Sequence, residues 1–238
     1  MFRACRVIMA LVCTLLGHWL KCKKVEKLPL PDRWFVAMPI VQKMIKVFMA
    51  PTKARVIYHG LENIPEDQNV FFVANHQSFF DIPIIIDVMD RPTGFIAKQS
   101  LGKAPLLSAW MRQIGCLFMD RDDIKQSVQI IRQAGEQLKM GLNMVIFPEG
   151  TRSKGGEPHE FKKGSLKPAF IAGVPIVPIC IQGAYKIFEA NPGFCVKPAE
   201  VHVYVGQAVE TANMSKAEQR EFAAGVEEWI FRQKDIIK

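Results

Sequence analysis

The stretch Val70-Phe71-Phe72-Val73-Ala74-Asn75-His76-Gln77-Ser78-Phe79-Phe80-Asp81 decides the fold. Its first five residues are apolar, β-branched or aromatic, the composition of a strand buried on both faces. The run stops at Asn75-His76, and apolar residues resume over 82–89. Ser78 stands at the position of an N-cap, so the pattern predicts strand, tight turn, helix, with His76 in the turn and Asp81 in the first helical turn.

An imidazole and a carboxylate at this spacing suit proton transfer. A general base needs one tautomer, and a carboxylate accepting from Nδ1 fixes it while leaving Nε2 free. The same residues admit plainer readings. Ser78 and Asp81 form an S-x-x-D capping pattern, and a histidine at a strand end is often structural. No second histidine or cysteine lies nearby at ligand spacing, which argues against a metal site.

Working outward, 238 residues at 49% hydrophobic content are enough for one substantial core with an appendage. The net charge of +8 is uneven. Residues 1–55 hold 11 Lys/Arg against Glu26 and Asp32, a net of +9, whereas residues 56–238 hold 20 Lys/Arg against 21 Asp/Glu, a net of −1. Six scattered cysteines without C-x-x-C spacing read as reduced thiols in a cytosol-facing protein, not as a disulfide frame or zinc site.

Segment 7–20 is apolar but only 14 residues long, short of the roughly 20 needed to cross a bilayer. Lysines follow it, and no small-x-small cleavage pattern marks a secretory leader. Segment 33–49 places Trp34, Phe35, Met38, Val41, Ile45 and Phe48 at helical spacing, with Pro39 expected to kink it. Two lysine-flanked apolar helices fit a membrane interface with anionic headgroups; the alternative is that the second belongs to the core. Nucleic acid is not expected, since the basic residues lack a base-stacking platform or recognised motif.

From Val56 onward, strand and helix patterns alternate. Strands are expected at 56–59, 70–74, 94–98, 116–119, 145–147, 176–181 and 201–205. Helices are expected after His76, through Trp110, over 124–138, over 166–172 and from Ser215. This predicts an α/β fold with a mostly parallel central sheet flanked by helices, preceded by an N-terminal membrane-interface helical pair. The expected division is residues 1–55 for attachment and 56–238 for the α/β domain.

Ligands of open α/β sheets collect at strand carboxyl ends. His76, Lys98, Arg121 and the Glu149-Gly150-Thr151-Arg152 run all fall there. Guanidinium forks match phosphate oxygens, so the set suggests a base beside a phosphate-binding cluster.

Four ordered blocks, NHQSFFD (75–81), GCLFMDR (115–121), FPEGTRS (147–153) and VPIVP (174–178), with Phe161-Lys162-Lys163-Gly164 between the last two, resemble the glycerolipid acyltransferase family, most closely its 1-acylglycerol-3-phosphate acyltransferases. The resemblance implies transfer of a fatty acyl group from acyl carrier protein or coenzyme A to the hydroxyl of lysophosphatidic acid, with no cofactor and no metal. It implies His76 as base and Asp81 as its partner. Arg121, Glu149, Gly150, Thr151 and Arg152 would bind the glycerol phosphate, assisted by Lys98. It further implies attachment to membrane phospholipids at the cytoplasmic face, in a bacterium the inner membrane, without a crossing. One departure is that Gln99-Ser100-Leu101 follows Ala97-Lys98 where the family pattern ends in Glu-Leu. The rival readings are another lysolipid acceptor, a hydrolase using His76 and Asp81, and a lipid-binding protein without turnover.

Overall fold

The apolar run around Phe71 forms the middle of a seven-stranded sheet. The computed structural model describes residues 2–235. The strands are β1 Arg55–His59, β2 Phe71–Ala74, β3 Thr93–Lys98, β4 Leu117–Met119, β5 Asn143–Ile146, β6 Ile176–Gln182 and β7 Glu200–Val205, in spatial order β1-β7-β6-β2-β5-β3-β4. Every residue of β2, β5 and β6 is buried, which explains why they read as continuous apolar runs without polar alternation.

Every neighbouring pair is parallel except β6 and β7. A parallel return needs a crossover, usually helical. Residues 183–199 contain only a short 3₁₀ turn, and β7 comes back beside β6 antiparallel, Ile181 facing Val203.

The helices are α1 Phe2–Gly17, α2 Trp19–Val25, α3 Asp32–Met49, α4 Asp81–Asp87, α5 Pro105–Gln113, α6 Ile124–Lys139, α7 Lys167–Ala172 and α8 Lys216–Asp235. They cover both faces of the sheet. Val70, Phe72 and Ala74 pack in one cluster with residues of α1, α3, α4 and α5, whereas Phe71 and Val73 pack in a second with residues of α6, α7 and α8. The period-two alternation of a strand thus feeds two cores.

The N-terminal helices share that first core. Met38, Val41 and Met44 of α3 turn into it and Trp34 is buried in the second core, while Phe35, Val36 and Val47 remain exposed. The 33–49 segment therefore combines a core face with an apolar outer face. On α1, Ile8, Met9, Val12 and Leu16 are exposed, joined by Leu20 of α2. Among the described residues no single helix is long and apolar enough to cross a membrane; α1 and α2 pass together by length and composition but meet at a 50° bend.

Two local details explain motif residues. Asp123 caps α6, its side chain accepting from the Gln126 N–H at 3.0 Å. Gly115 opens the GCLFMDR block at φ +82°, and a Cβ there would lie 2.4 Å from Leu142 Cδ2, so only glycine fits without displacing the core.

Candidate active site

β2, β5, β3 and β4 are consecutive parallel neighbours, so their carboxyl ends form one rim. The first residue beyond β2 anchors it. Asn75 donates Nδ2 to the Ile181 carbonyl at 2.9 Å and accepts the Ile181 N–H on Oδ1 at 2.7 Å, replacing the ladder bonds that β2 gives up as it turns away.

The turn that follows is organised by Asp81. Its Oδ2 accepts from His76 Nδ1 at 2.8 Å, from the Gln77 N–H at 2.7 Å and from the Ser78 N–H at 2.8 Å. Asp81 therefore holds the imidazole and closes the helix start at once, so the two sequence readings of this residue coexist. The helix begins at Asp81 and not after Ser78. The Ser78 hydroxyl instead donates to Glu189 at 2.7 Å, and Ser78 Oγ accepts the Phe80 N–H. Burial pushes the Asp81 carboxyl up, and the bond from His76 followed by the two N–H groups pulls it back. Its Oδ1 is buried without a hydrogen-bond partner among the described residues.

With Nδ1 donating to a carboxylate, Nε2 is the basic nitrogen. The His76 side chain is 15% exposed, and its ring stacks on Phe147 at 4.2 Å between centroids. Its main chain is clamped to the loop after β5. The His76 N–H donates to Glu149 Oε1 at 2.7 Å, and the Ser153 N–H donates to the His76 carbonyl at 2.8 Å. Glu149 Oε2 accepts the His159 N–H at 2.9 Å, so this buried carboxylate joins two segments of chain. Burial raises its pKa despite the His159 and His76 N–H bonds that lower it. Gly150 follows at φ +74°, the left-handed turn that swings the loop out of the sheet.

Two cavities lie near the pair, although His76 and Asp81 themselves line neither. On one side a cleft of about 440 Å³ is lined by Phe147, Gly150, Arg121, Lys162, Lys163 and Lys167, with Arg132 from α6 at its wall. On the other, a cavity of about 410 Å³ is almost wholly apolar, lined by Leu15, Met44, Phe48, Phe79, Phe95 and Trp110 among others. Phe147 separates them: it lines the cationic cleft, carries the His76 ring on one face, and stacks at 6.4 Å on Phe95, which lines the apolar cavity.

The remaining residues singled out from sequence divide. Arg121 and Gly150 meet in the cleft, where a Cβ on Gly150 would lie 3.8 Å from the Arg121 side chain. Arg152 turns toward the loop after β2, its guanidinium 3.4 Å over the Phe79 ring and 3.0 Å from Glu189. Lys98 and Thr151 are exposed on the rim and do not line the cleft. Sequence reasoning missed Glu189, which carries no local pattern, and also Arg132 and Lys167, which look like ordinary charges on α6 and α7. Asn75 lay inside a quoted motif with its anchoring task unread.

A histidine–aspartate pair at the carboxyl ends of a parallel sheet, between a cationic cleft and an apolar cavity, defines the class: an α/β enzyme of the HxxxxD type. The Acyltransferase family profile matches residues 55–182, which include both members of the pair and the loop after β5. The chain belongs to that family. It is 28% identical over 199 residues to the 1-acyl-sn-glycerol-3-phosphate acyltransferase of Borreliella burgdorferi, covering 84% of this chain and 79% of that one. It is 30% identical over 189 residues to a probable enzyme of the same name from Mycoplasma pneumoniae, covering 78% and 71%. The crystal structure of the 1-acyl-sn-glycerophosphate (LPA) acyltransferase PlsC from Thermotoga maritima superposes with a TM-score of 0.81 at 29% identity, over 98% of this chain and 93% of that one.

Proposed function

We propose that the enzyme transfers a fatty acyl group from a thioester, acyl carrier protein or coenzyme A, to the free hydroxyl of lysophosphatidic acid, forming phosphatidic acid. The observation that carries this reading is the row of rings that starts at His76, which stacks on Phe147 of the cationic cleft, which stacks in turn on Phe95 of the apolar cavity. A lysophosphatidic acid headgroup matches the cleft, and acyl chains match the cavity.

In the reaction, His76 Nε2 takes the hydroxyl proton as the oxygen attacks the thioester carbonyl. The tetrahedral intermediate then expels the thiolate, which the imidazolium protonates, restoring the neutral ring and releasing ester and thiol. General base assistance of this kind is worth about 100-fold to 10,000-fold. Asp81 holds Nδ1 and stabilises the imidazolium. The cleft cations, with Arg152 on the neighbouring loop, bind the phosphate and turn encounter into orientation. No covalent acyl-enzyme is invoked.

Attachment to phospholipid at the cytoplasmic face belongs to the same reading. It is supported by the exposed apolar residues of α1, α2 and α3 and by the net +9 of residues 1–55. The test is detergent-solubilised protein with a labelled acyl thioester and a panel of lysolipids, read by product mass. Phosphatidic acid formation that is lost in a folded His76→Ala variant is expected. Free fatty acid without acceptor would mean a hydrolase, and lipid binding without product would mean a carrier.

A further inference from the structure

Glu189 lies in the loop between β6 and β7, outside every motif block, and its side chain is only 4% exposed. It accepts three hydrogen bonds, all from the two loops that build the site. Oε2 takes the Ser78 hydroxyl at 2.7 Å; Oε1 takes the Phe79 N–H at 2.9 Å and Arg152 Nη1 at 3.0 Å. One carboxylate thus grips the backbone under the Phe79 ring and the guanidinium that lies on that ring.

Those contacts constrain Arg152 in two independent ways. The Phe79 face, 3.4 Å away, sets the plane of the guanidinium. The Glu189 oxygen at one N–H sets its rotation within that plane. A guanidinium has five donors in a rigid fork, and Glu189 engages it through Nη1, so the other donors point in a direction that the protein has fixed in advance.

We infer that Glu189 is a positioning residue, which aims the unengaged donors of Arg152 at the phosphate of the acceptor lipid. This rests on the phosphate-bearing acceptor proposed above. A lysine could not be aimed this way, having neither a plane to stack nor a fork to rotate.

The test is a kinetic double-mutant cycle with Glu189→Gln, Arg152→Gln and the pair, using lysophosphatidic acid as acceptor and one acyl thioester as donor, with thermal melts of each. Gln keeps the size and one acceptor oxygen but loses the charge that holds the fork. Expected is a rise in acceptor KM of about tenfold for Glu189→Gln, the order of one misaligned charge-assisted hydrogen bond, with kcat within about twofold and donor KM unchanged. In acceptor KM the double variant is no worse than Arg152→Gln, because that effect of Glu189 runs through Arg152, while its bonds to Ser78 and Phe79 are read in the melts. Additive effects on acceptor KM, or a fall in kcat at constant acceptor KM, overturn the inference. If Glu189→Gln does not stay folded, Glu189→Asp keeps the charge but withdraws it by one methylene from Arg152; it gives the same rise confined to acceptor KM, and an unchanged acceptor KM overturns the inference. A wild-type enzyme inactive toward lysophosphatidic acid removes the functional reading itself, an outcome distinct from an active wild type with an additive cycle.

Discussion

Asp81 Oδ2 accepts from His76 Nδ1 at 2.8 Å with the same oxygen that takes the backbone N–H groups of Gln77 and Ser78. Imidazole tautomer and turn geometry are therefore set by one atom. In Asp81→Asn, an amide oxygen at that position keeps all three bonds, the Nδ1–H of His76 included, so turn and tautomer survive. The negative charge that stabilises the imidazolium is lost, and the NH₂ falls at the buried Oδ1 position, which has no partner among the described residues. Acyl transfer is expected to fall about 10-fold to 100-fold, the order of one charged hydrogen-bond partner, while the thermal midpoint moves little. Initial rates and a melt on the same sample check this; a folded variant with undiminished rate would show that the charge on this carboxylate is not needed.

Glu149 predicts a pH-dependent term in stability. Burial raises its carboxyl above the ordinary 4.5. A group that binds its proton more tightly folded than unfolded stabilises the fold below the unfolded value and loses that contribution as pH rises through the folded value. Glu149→Gln removes the titration. It adds a pH-independent loss of about 1–3 kcal/mol, because the amide NH₂ cannot accept from a backbone N–H. In urea unfolding at a series of pH values from 4.5 upward, the difference between the two proteins is expected to shift in the variant's favour as pH rises. A difference flat across that range would show no linkage at this carboxyl.

Burial pushes the Cys116 thiol up to about 12, so it is a packed side chain and not a nucleophile. Cys5 and Cys13 are exposed. Iodoacetamide on the folded protein at mildly alkaline pH is expected to label those two and spare Cys116, and peptide mass mapping reads the pattern. Labelling of Cys116 ahead of Cys5 would show that its strand opens readily.

Val12 and Leu16 face solvent on α1. Changing both to Asp removes apolar surface from the outer face without disturbing the core. Vesicle sedimentation with anionic phospholipid is expected to show binding weakened by tenfold or more, since burying one such side chain is worth about 1.5–3 kcal/mol. The thermal midpoint in detergent stays near wild type. Undiminished vesicle binding would exclude this face as the attachment surface.

The parallel strands were legible because burial on both faces leaves uninterrupted apolar runs, as in 70–74. The rim of His76, Arg121 and Glu149 followed from strand order. The antiparallel return of β7 was not legible, since a strand of five or six residues carries no mark of its direction. Nor was the full use of Ser78. Its hydroxyl accepts the local Phe80 N–H and also donates to Glu189, a partner 111 positions away that only the packed chain brings into reach. Glu189 stayed hidden for the same reason: a single acid in a loop looks solvated until three donors arrive from elsewhere.

The partition made by Phe147 and Phe95 has a consequence for how such a protein can diversify. Because each chamber has one of the two stacked rings in its wall, trimming either ring would open that chamber toward the other instead of enlarging it alone. Selectivity for head and for tail can then change independently only at their distant ends, among the α6 and α7 side chains on one side and the α1 and α3 side chains on the other. Variation among descendants of this design is expected to gather at those far walls, leaving the middle alone.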